Sequence, residues 1–483
     1  MGFATLDYVI LVVYLIAVAL FGILRRGRQQ SAREYFLGHD NIPWWAVCFS
    51  IVAAETSTLT FISIPGLAYL TNLNFLQVTF GYLLGRIVIS YLFLPAYYKG
   101  ELSTAYAFLE GRFGSKTRSL ASVVFLFTRV AAEGVRLFAA AIPLKFVLGV
   151  DYPTAIILLA VVALLYTFAG GARGVIWVDA VQMVIYLTGA VVAAIVLVNS
   201  HPGGWEGITR LAAEAGKFSL FNLGAGGNFW GTAYTLPAGL LGGAFLSMAS
   251  HGTDQLIVQR LLATKSLTAG RKALIGSGVI VILQMALFMI VGLMLYGYYN
   301  GASVSSLGLQ RADEVFPRYI IEGLPTGIAG FVIAGLTAVA LSTLGGSISS
   351  MASSMVLDLY KPRATKQLTP EKEVLYSRLA TILWAVLLVL SAFFFMNTTQ
   401  TVVELALSIA SFTYGGLLGT FLLGLLFKRP KEEDALAGFV GGILVMVTVI
   451  ALHLVAWTWF TLIGVIATLV IGGGLAVLGK RGE

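Results

Sequence analysis

Apolar residues run along this chain in long blocks separated by short polar stretches. The blocks fall at about 6–24, 43–68, 73–97, 119–148, 153–169, 175–199, 233–259, 273–297, 319–357, 375–396, 400–427, 434–453 and 457–479. At about 20 residues per crossing each can span a bilayer as a helix, so the pattern predicts an all-α polytopic membrane protein with about thirteen transmembrane helices. Composition agrees: of 483 residues 58% are hydrophobic and 11% charged, with a mean hydropathy of +0.88. A soluble chain of this size cannot bury so much apolar side chain, and no room is left for a separate large soluble domain.

The loops fix the expected topology. With the amino terminus outside, the inner loops hold Arg25, Arg26, Arg28, Arg33, Lys99, Arg112, Lys116, Arg118, Arg173, Arg260, Lys265, Arg271, Lys272, Lys361, Arg363, Lys366, Lys372, Arg378, Lys428, Arg429, Lys431, Lys480 and Arg481. The outer loops hold only Arg210, Lys217, Arg311 and Arg318. One miscounted helix would erase this bias, which predicts a multi-pass protein of the plasma (inner) membrane with its carboxyl terminus inside. The formal charge of +8 then belongs to basic cytoplasmic loops in a lipid setting, not to a nucleic-acid surface. Asp7 precedes the first apolar run and the arginines follow it, so the run reads as a retained helix, not a signal peptide. The outer loops at about 200–232 and 298–318 are long and read either as lids or as plain linkers.

A lone cysteine, Cys48, excludes an intramolecular disulfide framework, and the histidines show no paired metal-ligand spacing. Neither a Walker A motif nor a Gly-x-Ser-x-Gly elbow is present, and no nucleophile–base pair stands out, so the chain does not read as an enzyme.

Candidate chemistry lies where polar residues interrupt apolar helices, since each costs free energy there unless paired or facing a cavity. The first interruption runs from Ser50 through Glu55, Thr56, Ser57, Thr58 and Thr60 to Pro65 and Gly66. It reads either as a broken helix exposing carbonyls for a cation, interrupted at Pro65–Gly66, or as hydroxyls bonding back along one continuous helix. Ser342 and Thr343 are adjacent hydroxyls in a stretch of small residues, suited to an oxygen cage or to close packing. Arg129, Glu133 and Arg136 share a helical face; one carboxylate facing two guanidiniums leaves a positive charge, and Arg86 is placed to share Glu133 or Glu55. Asp179 follows a Gly-rich inner loop, Gly170 to Gly174, as a cation ligand, a proton site or a helix-start carboxylate. The polar run Ser247, Ser250, His251, Thr253, Asp254 and Gln255 suggests a second broken helix near a gate.

These residues resemble the sodium:solute symporter family, whose members carry sugars, proline, sialate, iodide and monocarboxylates. The telling pieces are the first interrupted helix; Gly170 and Gly171 with Trp177, Asp179 and Gln182; Asp254 and Gln255 with Gln259, Arg260, Lys265 and Ser266; and Ser342 and Thr343 with Asp358 and Tyr360. The stretch around Ser347, Ile348, Met351 and Ala352 looks most like the iodide and monocarboxylate branch. The resemblance covers nearly the whole chain and implies a LeuT-type fold. A leading helix (about 6–24) precedes a ten-helix core of two inverted five-helix repeats (about 43–427), and two trailing helices follow (about 434–479). All form one transporter domain, with 43–68 and 233–259 discontinuous.

By the same resemblance, Na⁺ is held by carbonyls of Ala53, Thr56 and Val339 and hydroxyls of Ser342 and Thr343. Asp179 matches an aspartate of a second cation site, although Gly345 and Gly346 stand where relatives carry hydroxyls. Substrate contacts fall on Glu55, Ser57, Thr60, Phe75, Thr79 and Arg129, with Glu133, Arg136, Asp254 and Gln255 in the vicinity or at a gate. Val281 and Asp254 replace a lysine and an asparagine of the sugar carriers, which favours a carboxylate-bearing or zwitterionic solute over a neutral hexose. The expected function is Na⁺-coupled symport of a small organic solute by alternating access. The alternatives are a proton-coupled carrier on the same fold, a sodium-coupled sugar or polyol carrier, and a solute-binding receptor. Solute identity, stoichiometry and oligomeric state stay open.

Overall fold

The computed structural model describes residues 3–24, 42–99, 104–224, 228–363, 369–396 and 402–478. Inside its helices, the side chains of 18, 19, 22–24, 146, 166–175, 342, 363 and 404 lie outside that description. Among the described residues the chain is helical throughout, with one isolated bridge between Ile42 and Thr264. Among the described residues eight helices are long and apolar enough to cross a membrane, nine when one sharply bent pair counts as a single span.

In chain order the elements used below are α1 (Thr5–Leu24), α2 (Trp44–Glu55), α3 (Thr58–Leu70), α4 (Leu76–Leu92), α5 (Ser115–Leu148), α6 (Tyr152–Ser200) and α7 (Gly204–Glu214). They continue as α8 (Gly243–Gly252), α9 (Gln255–Leu262), α10 (Leu267–Tyr298), α11 (Ile328–Ser354), α12 (Pro370–Phe395), α13 (Val402–Leu426), α14 (Glu432–Ala451) and α15 (Phe460–Leu478).

The bent pair is α2 and α3, which meet at 61°. The chain leaves the helical region at Thr56 and re-enters it after an extended Ser57. Three successive hydroxyl residues sit at this point, and two of them bond sideways. Thr56 Oγ1 donates to Gln284 Oε1 of α10 at 3.2 Å, and Thr58 Oγ1 to the Leu336 carbonyl of α11 at 2.9 Å. Such side-chain alternatives compete with the helical ladder and end it here. The interruption expected at Pro65 and Gly66 is therefore misplaced by a turn or more: Pro65 lies inside an unbroken α3. Gly66 instead serves close packing, since a Cβ there would lie 2.5 Å from the Ala312 carbonyl oxygen.

The second expected discontinuity falls at Thr253 and Asp254. A π-helical turn, Ala238–Gly242, leads into α8; the chain breaks, and α9 starts with the Asp254 carboxylate accepting from the Leu256 amide at 2.9 Å.

The Gly170–Gly174 loop predicted between two spans has helical backbone, so Tyr152–Ser200 forms one 49-residue run. It is not one straight rod. Tyr152, at its start, meets Phe138, whose ring lies 5.6 Å from Arg311. α7, just past its end, packs Ile208 against Gly297 and Leu211 against Gly301. Both ends thus reach the 298–318 connection, so the run bends back on itself.

The long connection after α6 is neither a bare linker nor a free lid. Its Lys217 ammonium is buried and donates to the carbonyls of Tyr69, Leu70 and Thr71 at 2.9, 3.2 and 3.0 Å. That places a cation on the carboxyl end of α3, where the helix leaves carbonyls unpaired.

α10 crosses α3 so closely that a Cβ on Gly292 would lie 2.3 Å from the Pro65 carbonyl oxygen. Gly292→Leu is expected to force the crossing apart and destabilise by about 1–3 kcal/mol or more. Gly473→Leu, where an added Cβ meets nothing within 4 Å, is expected to leave the melting temperature in detergent unchanged. Equal melting temperatures for the two variants would contradict this packing.

Candidate functional site

A cavity of about 90 Å³ opens beside the α2–α3 break. Glu55 ends α2, and Ser57, Leu59, Thr60 and Ile64 follow it round the bend. Phe75 and Tyr82 come from the start and middle of α4, Arg129 and Arg136 from α5, and Ser250 and His251 from the end of α8. Val403, Ala406, Leu407, Ala410 and Tyr414 of α13 close the apolar side. Of the sequence-predicted contacts, Glu55, Ser57, Thr60, Phe75 and Arg129 come together here, with Arg136. Thr79 does not: its hydroxyl bonds back to the Leu76 carbonyl at 2.8 Å, and the residue is buried off the cavity. Gln255 also lies elsewhere, its Oε1 accepting from the Ala105 amide at 2.8 Å.

The charges around this cavity form a closed account. Arg129 Nη1 donates to Glu133 Oε1 at 2.7 Å, and its Nη2 donates to Asp254 Oδ2. Arg136 Nη1 donates to the same Glu133 oxygen at 2.6 Å, and the Tyr414 hydroxyl donates to Asp254 at 2.5 Å. The expected residual positive charge is absent, because Asp254 arrives from the α8–α9 break as the second carboxylate. Arg86, wholly buried, pairs with Glu55 and not with Glu133, and steadies itself on Ser277 Oγ at 2.8 Å. Arg129 is thus committed to two carboxylates. Arg136 has one ion pair and a side chain 20% exposed, so it keeps N–H groups for the cavity.

On the other side of the break lies α11. The Thr58–Leu336 bond joins the two elements. Val339 and Thr343 lie three and seven residues beyond Leu336, on the same helical face. Ala53, Thr56, Val339 and Thr343 are all buried, and Thr343 Oγ1 has no hydrogen-bond partner. The Ser342 side chain is outside the described residues. A helix end leaves its last carbonyls without intrahelical amides, so this face gathers neutral oxygens. Among the described residues no cluster of His, Cys, Asp or Glu is placed to hold a metal ion. Neutral oxygens alone suit a hard monovalent cation.

Asp179 is wholly buried and accepts from Ser50 Oγ at 2.6 Å and Arg260 Nη2 at 3.0 Å. Gly346 gives that guanidinium clearance: a Cβ there would lie 2.4 Å from Arg260 Nη2. The glycine that replaces a hydroxyl thus coincides with an internal cation already on Asp179.

Sequence reasoning placed His251 at a gate, but it lines the cavity. α13 and the tyrosines 82 and 414 were missed altogether. His251 carried a signal, as a Ser-His pair inside an apolar helix. The tyrosines carried none among 20 in the chain, and nothing in α13's small and aliphatic residues distinguishes a cavity wall from a packing face.

Comparison with known proteins agrees with this architecture. The model of the sodium:solute symporter family matches residues 35–442. A sodium/sialic acid symporter of Aliivibrio fischeri is 28% identical over 98% of this chain and 93% of its own length. A putative sodium-dependent multivitamin transporter of Drosophila melanogaster is 31% identical over 89% of this chain and 72% of its own. Among solved structures, the substrate-bound outward-open state of a Na⁺-coupled sialic acid symporter superposes with a TM-score of 0.89. It covers 98% of both chains at 27% identity. The inward-facing conformation of Mhp1, at 13% identity and a TM-score of 0.53, shares the fold. The broken helix and its cavity lie in a LeuT-type helical scaffold, and the chain belongs to the sodium:solute symporter family, as a Na⁺-coupled transporter of a small organic solute and not an enzyme.

Proposed function

We propose that Na⁺ binds between the α2–α3 break and α11, on the carbonyls of Ala53, Thr56 and Val339 and the hydroxyls of Ser342 and Thr343. The solute then occupies the neighbouring cavity. The observation that carries this is Thr343 Oγ1: a buried hydroxyl without a partner, on the α11 face that meets the broken helix. Leaving such a group unpaired costs about 1–3 kcal/mol, which a bound cation removes. Asp179, already paired with Arg260, is not assigned a second cation.

Arg136 takes the anionic end of the solute in this reading, since Arg129 is occupied by Glu133 and Asp254. Ser57, Thr60 and Phe75 line the remaining wall with Glu55. Thirteen crossings, an outer amino terminus and the plasma membrane follow from the basic loops and stay part of the proposal.

Na⁺ couples the fluxes if it binds the outward, solute-ready arrangement better than the alternative, because a ligand shifts an equilibrium only by its differential affinity. In detergent, NaCl should raise the melting temperature above equal-strength KCl or choline chloride. The gain is about 2.7 kcal/mol at a hundred times Kd. Thr343→Ala should melt as the unsubstituted protein does in KCl and lose the NaCl increment. If the variant keeps that increment, the ion lies elsewhere.

The cavity's charge network gives a second expectation. Asp254→Asn leaves Arg129 half-paired in a buried site, and breaking such a pair costs about 3–5 kcal/mol. Combining it with Arg129→Met should recover part of the lost melting temperature, because the two residues share one interaction. Additive losses would show that Asp254 acts through Tyr414 instead.

A further inference from the structure

The charged groups on the cavity wall are largely paired within the chain. Glu55 is held by Arg86, with His251 Nε2 3.5 Å from its Oε2, and Arg129 is held by Glu133 and Asp254. Three neutral groups are not. Ser57, Thr60 and Tyr82 all line the cavity, and among the described contacts no hydrogen bond reaches their side-chain oxygens. The residues are otherwise buried, and none of the three oxygens is sealed from the cavity. Tyr414, the other tyrosine on this wall, commits its hydroxyl to Asp254. Tyr82 lies seven residues beyond Phe75, two turns along the same face of α4. Glycines fix its backbone: a Cβ on Gly81 would lie 2.5 Å from the Gly239 carbonyl oxygen, and one on Gly85 2.3 Å from that of Ala244. The ring is therefore placed by the tight contact of α4 with the π-helical turn and α8. Its hydroxyl is near enough to Glu55, Arg86 and Arg136 to feel their charges, and of these Arg136 is the one with N–H groups left for a solute.

We infer that Tyr82 is a specificity-determining residue, which selects a carboxylate that carries a hydroxyl on the neighbouring carbon. The inference rests on the cavity being the solute site and on Arg136 taking the anionic end. Water occupies an open polar cavity, and a solute that displaces it loses affinity unless it replaces the hydrogen bonds the water made. A phenol both donates and accepts, so a solute hydroxyl serves it in either sense, whereas a methylene leaves it bare. With the carboxylate on Arg136, a hydroxyl beside that carboxylate is the group set to meet Tyr82. Ser57 and Thr60, on the broken helix, are left for the rest of the solute. An ammonium in the same place would face a Glu55 already paired with Arg86. A buried ring with two rotatable bonds also gives up little freedom when its hydroxyl is engaged, so the contact is made at low entropic cost.

Probes of matched skeleton test this: propionate, both enantiomers of lactate, and L-alanine, which carry a hydrogen, a hydroxyl and an ammonium at the same carbon. Melting temperatures of the full chain in saturating NaCl give the concentration at which each stabilises. The better lactate enantiomer is expected to act about three- to ten-fold below propionate, the fold-change of one net hydrogen bond, and alanine no lower than that lactate. Tyr82→Phe removes only the hydroxyl, so lactate should then need as high a concentration as propionate, while the NaCl increment that reports Na⁺ binding stays. The inference is overturned if neither lactate outranks propionate, if alanine outranks both lactates, if none of these acids stabilises while NaCl does, or if a folded Tyr82→Phe keeps the preference. Should that variant not fold, the ranking in the unsubstituted protein decides alone. A protein indifferent to NaCl itself would instead overturn the transport-site reading beneath it.

Discussion

A carbonyl inside an apolar bundle that has lost its helical amide must find another donor or a cation, and this chain breaks a helix inside such a bundle. The two ends of the broken segment meet that requirement in different ways. The carboxyl end of α3 carries a tethered cation: the Lys217 ammonium holds three successive carbonyls and lies 4.4 Å from the Tyr296 ring centre. The carbonyls at the carboxyl end of α2, from Ala53 to Thr56, have no lysine or arginine donating to them among the described contacts, although Arg86 holds the Glu55 side chain. The neighbours of those carbonyls offer oxygens instead, from Thr343 and the α11 backbone. One helix end is neutralised by a residue of the chain itself, and the other is the end to which the proposed Na⁺ would bind and from which it would leave. Reversibility at that single point is what a carrier needs and a structural cap would destroy.

Much of this was legible before any coordinates, and for a physical reason. Polar residues at mid-depth in an apolar helix are expensive, so Glu55, the Thr56–Thr58 hydroxyls, Arg129, Asp179 and Asp254 announced themselves by being there at all. Who pairs with whom was not legible. Asp254 neutralises Arg129 from 125 residues away, through a break whose position depends on packing. Pro65 looked like the breaker and is not. A proline lacks one amide but tolerates a continuing helix when neighbours pack around it, while three successive hydroxyl residues, two of them bonded to other helices, do end one. Gly170 to Gly174 looked like a loop and has helical backbone, because glycine signals permission to bend without dictating where the hydrogen bonds stop. The apolar α13 wall could not be read, since a cavity lining and a packing face have the same composition.

Away from the cavity the helices are tied by a second set of charges. Arg118 of α5 donates to Asp358 at 3.0 and 2.7 Å, and Thr104 and Ser354 donate to the same carboxylate at 2.5 and 3.0 Å. Arg260 of α9 reaches Asp179 of α6 and Ser50 of α2, just past Gly346 of α11. These contacts tie α5 to Asp358 and α9 to α6 and α2, so any rearrangement that parts those elements must separate buried ion pairs. Each such separation is costly without a compensating arrangement. Such a rearrangement is the one that ion and solute binding must bias, and coupling is the part of that bias neither ligand supplies alone.

Charge balance sets the direction in which voltage can act. Among the described side chains around the cavity, Glu55, Glu133 and Asp254 match Arg86, Arg129 and Arg136, and Asp179 matches Arg260. The empty core is therefore neutral and can reorient without moving net charge. A bound Na⁺ adds one positive charge, and a zwitterion adds none. A carrier loaded with one Na⁺ at the proposed site and a solute of no net charge would move +1 inward, a step worth about 2.3 kcal/mol per 100 mV, while the empty return would be indifferent to the field. A monoanion in the same cavity would cancel the ion's charge and remove that dependence.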